Sequence, residues 1–408
     1  MSSVRTNEHP FSIARLVAGS IFSAVLWSSS SFGLGIALPD QDAFATARGN
    51  AFVATANDPA AVFYNPAGIS QLQGANVSLG AYGIVYGSTY KNFGTTIDSK
   101  TQLAVVPQFF STYSLTNYNL SFGLGTYSPY GFRMEWPSTS LMAEQGFLGQ
   151  ISYYTLNAVV AYQVLPSLSV AAGPTINYSE VNLLEYPGPG VGLPFTYADH
   201  FRGRDWAEGY NLGVLWHPLD QHSFGVTYRS GTVMNYTGHG TQFEPPVFPN
   251  GPASAKFHFP QTVDFGYSFR PTPKWNIEAD GDWSDWSGLK DITVQGQPAP
   301  LAFNWQASWI ASVGVTRYLG DGWRLSGGYM YSENSVPSED FSALVPDSDR
   351  NIFSIGIGKT YGHFSWDAAY QFAWAPSRSV SADAGYPTAA GNYEFMSHAL
   401  TVNLGYHF

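Results

Sequence analysis

A period of two constrains this chain more than any single motif. Phe364, Trp366, Ala368, Tyr370, Phe372 and Trp374 share one parity, and Ser365, Asp367, Ala369, Gln371 and Ala373 share the other. Successive side chains of a β-strand point to opposite faces, so such a segment has one large apolar face and one small or polar face. The pattern recurs at Leu120, Phe122 and Leu124, at Phe224, Val226 and Tyr228, at Trp275, Ile277 and Ala279, and at Phe353, Ile355 and Ile357. Charged residues make up only 12% of the chain while aromatics reach 16%, a balance that would keep a water-soluble sheet protein poorly soluble. No internal run of ~18 apolar residues offers a membrane helix. Apolar residues spread over every second position are what a transmembrane β-barrel requires.

The connections alternate in length. Short turns are expected near Thr116-Asn117, Pro166-Ser167, Pro218 to Asp220, Pro271 to Pro273, Gly320 to Gly322 and Tyr361-Gly362. Longer loops are expected at 90–101, 133–149, 185–203, 237–253, 287–301, 336–350 and 375–395. Seven loops and six turns predict an all-β membrane protein: an antiparallel barrel of about fourteen strands with both ends on the periplasmic side. Trp216, Tyr267, Phe269, Trp323 and Tyr406 crowd the inner ends as an interfacial girdle would. The last strand alternates through Leu400, Val402, Leu404 and Tyr406 and ends on Phe408, the pattern that delivers a barrel to the outer-membrane assembly machinery. The barrel is accordingly expected in the outer membrane of a Gram-negative type of bacterium, in contact with its lipid and lipopolysaccharide.

The first 73 residues read differently. Arg5 and Arg15 precede an apolar run from Leu16 to Trp27, and Gly35-Ile36-Ala37 forms a small-residue site, the layout of a secretory signal peptide over 1–37, with Gly33 as an alternative cleavage point. Residues 38–73 carry turn formers and small residues, Asp58-Pro59 and then Asn65-Pro66-Ala67-Gly68, without strand or helix periodicity. A small folded knot ahead of a closed wall, 74–408, predicts a plug in the lumen.

Removing 1–37 leaves 16 basic against 28 acidic residues, a net charge of −12 that argues against nucleic acid. Cysteine is absent, which excludes thiolate ligands and disulfides, and no His or carboxylate spacing suggests a metal or a cofactor. An enzyme would need His paired with Ser or Asp at the outer rim. His222-Ser223 lies at a periplasmic turn and His200 with Asp199 in a long loop, so no catalytic residue is assigned.

The segment LPDQDAFATARGNAFVATANDPAAVFYNPAGI, its Asn65-Pro66-Ala67 turn, the fourteen strands and the terminal Phe together resemble the FadL family of outer-membrane transporters, across the whole mature chain. The resemblance implies a hatch holding the NPA turn, and a wall gap at an inward kink of the third strand. That strand here runs into Ser128-Pro129-Tyr130-Gly131, where Pro129 lacks a ladder donor. The implied function is passive uptake of hydrophobic molecules, long-chain fatty acids first, with monoaromatic hydrocarbons, a polar porin and a barrel enzyme as successive alternatives; a monomer is the family expectation. Burying a methylene is worth ~0.8 kcal/mol, so a ligand moving between apolar surfaces leaves more readily into the bilayer than into water. Leu193, Phe195, Phe243, Val247 and Phe248 form an expected capture surface in the loops. By parity Arg229 and Arg324 face the lumen as candidate partners of a ligand carboxylate, with Lys256 grouped beside them, against the lumenal acids Asp264, Glu278, Asp280, Asp282 and Asp367.

Overall fold

The alternating segments pair edge to edge, each antiparallel to the one before, until the last meets the first. This is a computed structural model, and it describes residues 36–142, 146, 148–185, 199–242, 250–292, 301–381 and 389–408. Fourteen wall strands lie among them: β1 Gly74–Asn92, β2 Gln102–Leu115, β3 in two arms, Leu120–Tyr127 and Gly131–Glu135, β4 Leu148–Leu165, β5 Leu168–Glu185 and β6 Asp199–Leu219. β7 (His222–Arg229 and Thr232–Gln242) and β8 (Gly251–Phe259 and Gln261–Thr272) are also in two arms, followed by β9 Trp275–Asp285, β10 Ser308–Gly320, β11 Trp323–Ser332, β12 Arg350–Tyr361, β13 Phe364–Val380 and β14 Gly391–His407. β14 closes on β1 from Asn76 opposite His407 to Lys91 opposite Asn392. No described helix is long and apolar enough to cross a membrane; the strands cross instead.

The expected parities hold. Leu400, Leu404, Ile355 and Phe364 are exposed on the outside, while Ser354, Gln371 and Thr401 are buried on the inside. On β6, Trp206 and Trp216 both face outward. Ten residues at ~3.3 Å separate them along the strand, which at a tilt of ~40° gives ~25 Å of height, the thickness of an outer-membrane apolar band.

The strands run further than the apolar pattern marks them. β1 continues to Asn92, turns at Phe93 (φ 42°) and Gly94 (φ 83°), and pairs with Thr95–Asp98 where a loop is expected. β6 starts at Asp199 and β7 reaches Gln242. Outside the membrane a strand has no lipid to face, so it keeps its β-branched and aromatic residues and loses the alternation that identifies it.

Residues 38–73 fill the lumen. Asp42 caps helix α1, Ala43–Ala47, accepting from the amides of Phe44 (2.8 Å) and Ala45 (3.1 Å). Helix α2, Ala61–Tyr64, leads into a 3₁₀ turn, Pro66–Gln71. These pieces are too short for a helical period to show in sequence. Phe44, Phe52, Tyr64 and Phe63 pack edge to face in a chain with centroids 4.9–5.5 Å apart, and meet Phe110, Tyr127, Val159 and Leu215 of the wall. Two inward glycines admit the hatch backbone: a Cβ on Gly328 would stand 2.0 Å from the carbonyl carbon of Arg48, and one on Gly225 would stand 2.2 Å from the carbonyl oxygen of Val53.

Candidate functional site: the seated hatch and the opening in the wall

Two carboxylates of β9 hold the hatch. Asp280 Oδ2 accepts from the amides of Phe52 (2.7 Å) and Val53 (2.9 Å), and Glu278 Oε1 from those of Ala54 (2.6 Å) and Thr55 (3.1 Å). Glu278 Oε2 takes Arg48 Nη2 at 3.0 Å and also the Thr55 hydroxyl, and both side chains of the ion pair are fully buried. Asn276 Oδ1 holds the same Arg48 nitrogen at 2.6 Å. Four consecutive backbone donors and one buried cation thus depend on two adjacent inward positions of a single strand. Parity places Glu278 and Asp280 in the lumen, but sequence reasoning leaves out their partner, Arg48. The available signal is that Arg48 is the one basic residue between Leu38 and Gln73.

Asn65 ties the NPA turn to the wall. Its Nδ2 donates to Val53 O (2.9 Å) and to Val214 O on β6 (3.0 Å), and its Oδ1 accepts from Ala67 N (3.2 Å). Pro66 and Ala67 are buried in the first turn of the 3₁₀ segment, where proline loses no needed hydrogen bond. Near α1, burial pushes the Asp42 carboxyl up to about 6, reinforced by neighbouring Asp367 and opposed by its two capped amides and Arg324.

Arg229 and Arg324 both face inward and both touch the hatch. Arg229 donates to Phe63 O at 2.9 Å, and its guanidinium lies 4.4 Å from the centre of the Phe63 ring. Arg324 donates to Asp367 through Nε (2.8 Å) and Nη2 and lies 4.7 Å from the centre of the Phe44 ring. Lys256 belongs elsewhere: it is exposed on the outer wall, because Ala255 and Phe257 take the buried positions beside it.

The wall opens at the third strand. β2 pairs with β3 from Leu115 opposite Leu120 up to Phe109 opposite Thr126, and pairing stops there. Beyond Tyr127 the second arm of β3 stays on β4, with Gly131 opposite Ser152, and leaves β2. Each rim carries a proline, Pro129 and also Pro107, which sequence reasoning does not single out; neither has an N–H to offer a neighbour. Residues 36–38 take the freed rim instead: Leu38 N donates to Pro129 O (2.8 Å), Gly131 N to Ile36 O (3.0 Å), and Ala37 bridges Tyr130. Gln41 closes the row with Nε2 on Ser128 O at 2.8 Å. A cavity of about 290 Å³ remains, lined chiefly by Leu103, Val105, Phe132, Ile151 and Tyr154, with Arg133 and Arg350 as its cations.

The other sequence candidates are not brought together. Ser223 points inward and donates to Ala54 O (2.5 Å), whereas His222 stacks on Tyr267. His200 lies on β6, not in a loop, bonded to Asn182 (2.7 Å). Leu193, Phe195, Phe243, Val247 and Phe248 lie outside the described residues, as do residues 1–35. Among the described residues no cluster of His and carboxylates could hold a metal ion.

A closed fourteen-stranded antiparallel wall with a folded plug seated in it is the architecture of an outer-membrane transport barrel. The chain belongs to the outer membrane protein transport family OMPP1/FadL/TodX, whose family model matches residues 24–408. A long-chain fatty acid transport protein of Salmonella typhi is 24% identical over 403 residues, covering 87% of this chain and 89% of that protein. In fold the chain matches a Pseudomonas aeruginosa FadL homologue with a TM-score of 0.80 at 18% identity, over 91% of this chain and 99% of that one. It matches the Pseudomonas putida toluene transporter TodX with a TM-score of 0.70 at 17% identity, over 93% and 100%. It is an outer-membrane transporter of a family that carries hydrophobic substrates.

Proposed function

We propose that this barrel takes up long-chain fatty acids passively and releases them sideways into the membrane between β2 and the second arm of β3. The observation that carries the reading is the opening itself: its two rims do not pair with each other, its lining is largely apolar, and it leads out to the lipid-facing wall rather than to the periplasmic end. An apolar ligand crossing there never enters water, and each methylene kept out of water is worth ~0.8 kcal/mol. The hatch, 38–73, blocks the axial route through the wall, 74–408, and the loop residues Leu193, Phe195, Phe243, Val247 and Phe248 serve as the capture surface.

Arg350 favours an acid over a neutral hydrocarbon. It lines the cavity, stacks 4.3 Å from the centre of the Phe395 ring, and bonds Asp347 through Nη2 at 3.1 Å. Its Nε is buried without an acceptor among the described residues, an unspent donor beside the ligand path. Arg133 is already engaged by Gln102, Gln150 and Glu135. Arg229 is bonded to Phe63 O, and Arg324 is already paired with Asp367. Arg350→Gln is expected to weaken oleate binding roughly tenfold and to leave toluene binding unchanged, read by displacement of a fluorescent fatty acid from the purified barrel. Equal loss for both ligands would assign Arg350 a purely structural role.

Export uses the N-terminal signal, and the cut falls before Ile36, at the Gly33 alternative rather than after Ala37, because Ile36 and Ala37 bond the rim of the opening. Intact mass of the mature protein decides between the two sites. The chain works as a monomer, offering its Phe408-terminated strand to the assembly machinery.

A further inference from the structure

We propose that the outer wall of β4–β7, just above the aromatic girdle, binds the phosphate of an acylated glycolipid of the outer leaflet, with Arg202 and Arg204 as its ligands. The register sets the site. Ser152, Glu180, Arg204 and Thr237 lie in one row across four strands, and Gln150, Asn182, Arg202 and His239 in the next row outward. All eight have outward parity, and they line a groove of about 430 Å³. Directly beneath, Tyr154 lies opposite Tyr178 and Tyr178 opposite Trp206, an outward aromatic row.

Such a row marks where hydrocarbon ends and headgroups begin. Arg204 is two residues above Trp206, ~7 Å along the strand, at headgroup depth. These are the ends of β4–β7 remote from the short turns, hence the outer leaflet. Below the girdle the same strands expose Leu156, Ile176, Leu212 and Val214, a surface for acyl chains that gives a lipid a second hold which free phosphate lacks.

The charges are poised for an anion. Two other exposed cations of the rim are already neutralised, Lys91 by Glu394 at 2.8 Å and Lys100 by Glu135. Neither Arg202 nor Arg204 has an ion-pair partner among the described residues. Glu180 stands opposite Arg204 but is bonded by the Tyr178 hydroxyl. Arg202 Nε donates to Asn182 Oδ1 (3.3 Å), an acceptor it shares with His200 Nε2, which orients the guanidinium while its two Nη groups have no acceptor among the described residues. Two guanidiniums on one strand, two residues apart, suit a phosphate dianion that each can grip with paired N–H donors.

The test uses the full mature barrel in lipid nanodiscs and native mass spectrometry. The probes are a bisphosphorylated acylated glucosamine disaccharide and the same lipid stripped of phosphate. The wild-type barrel should retain the phosphorylated form roughly tenfold better, Arg202→Gln with Arg204→Gln should abolish the preference, and the paired lysine substitutions should keep part of it. Unchanged retention in the double glutamine variant would overturn the proposal, as would equal retention of both lipids by the wild type. Displacement by an equal concentration of inorganic phosphate would also overturn it, by showing a free-anion site. If the double variant does not fold, Thr237→Glu, which keeps both arginines and adds a carboxylate to their row, must show the same loss.

Discussion

Glu278→Ala should unseat the hatch and leave the barrel standing. The substitution strands the buried Arg48 cation and removes the acceptor for Ala54 N, Thr55 N and the Thr55 hydroxyl at once. Breaking one side of a buried ion pair costs about 3–5 kcal/mol, because the remaining charge has no water to turn to. That cost falls on the docking of 38–73, since the wall is held by a ladder of backbone hydrogen bonds that closes on itself and makes no use of the Glu278 side chain. The expected result in a planar bilayer is a barrel that conducts ions where the wild type is closed, with faster amide exchange at 52–55 and unchanged heat-modifiable mobility. Asn65→Ala removes one hydrogen bond from the hatch to the wall and two within the hatch and should act in the same direction by about 2–3 kcal/mol. Normal amide protection in Glu278→Ala would show that other contacts seat the hatch.

Gly131→Phe should close the side opening. A Cβ at this position meets the end of the Leu38 side chain at 3.1 Å, a flexible group that can shift, and the Ile151 carbonyl oxygen at an ordinary 3.8 Å, and Gly131 is itself part of the cavity lining that a ring would crowd. The rest of the wall is untouched, so surface abundance should not change. Uptake of oleate by whole cells should fall at least roughly tenfold, since a barrier increment of ~1.4 kcal/mol already suffices for that factor. Unaltered uptake with the ring in place would mean that ligand leaves elsewhere, with the periplasmic end of the lumen as the other exit.

The wall was legible in the sequence because lipid on one side and packed lumen on the other impose a strict period of two. Phe364 to Trp374 shows this, and the residues of that segment fall on the expected faces. The strand ends above the membrane were not legible. Thr89 to Asp98 forms a hairpin in water, where no apolar face is required, so the signal lapses although the pairing continues. The hatch was legible as a folded segment, but its contacts are long-range: Arg48 and Glu278 are brought together by closure of the whole barrel, and nothing local to either residue names the other. Pro129 marked one rim of the opening; Pro107, on the other rim, reads as an ordinary interruption of a strand until the two are seen to flank the same unpaired stretch. Lys256 was misplaced because parity must be counted from a strand's own buried residues, here Ala255 and Phe257, across a strand broken at Pro260.

In lateral release an apolar ligand passes through the side of the wall. A long-chain fatty acid carrying a photoactivatable diazirine near its methyl end, added to cells expressing the barrel and irradiated during uptake, tests this directly. Lateral release predicts that labelled peptides include Leu103 and Val105 on one rim and Phe132 and Ile151 on the other, and that Gly131→Phe removes this labelling. Label found only around Ser70 and Gln71, at the periplasmic end of the hatch, with the rims unmarked, would contradict lateral release and place the exit along the barrel axis.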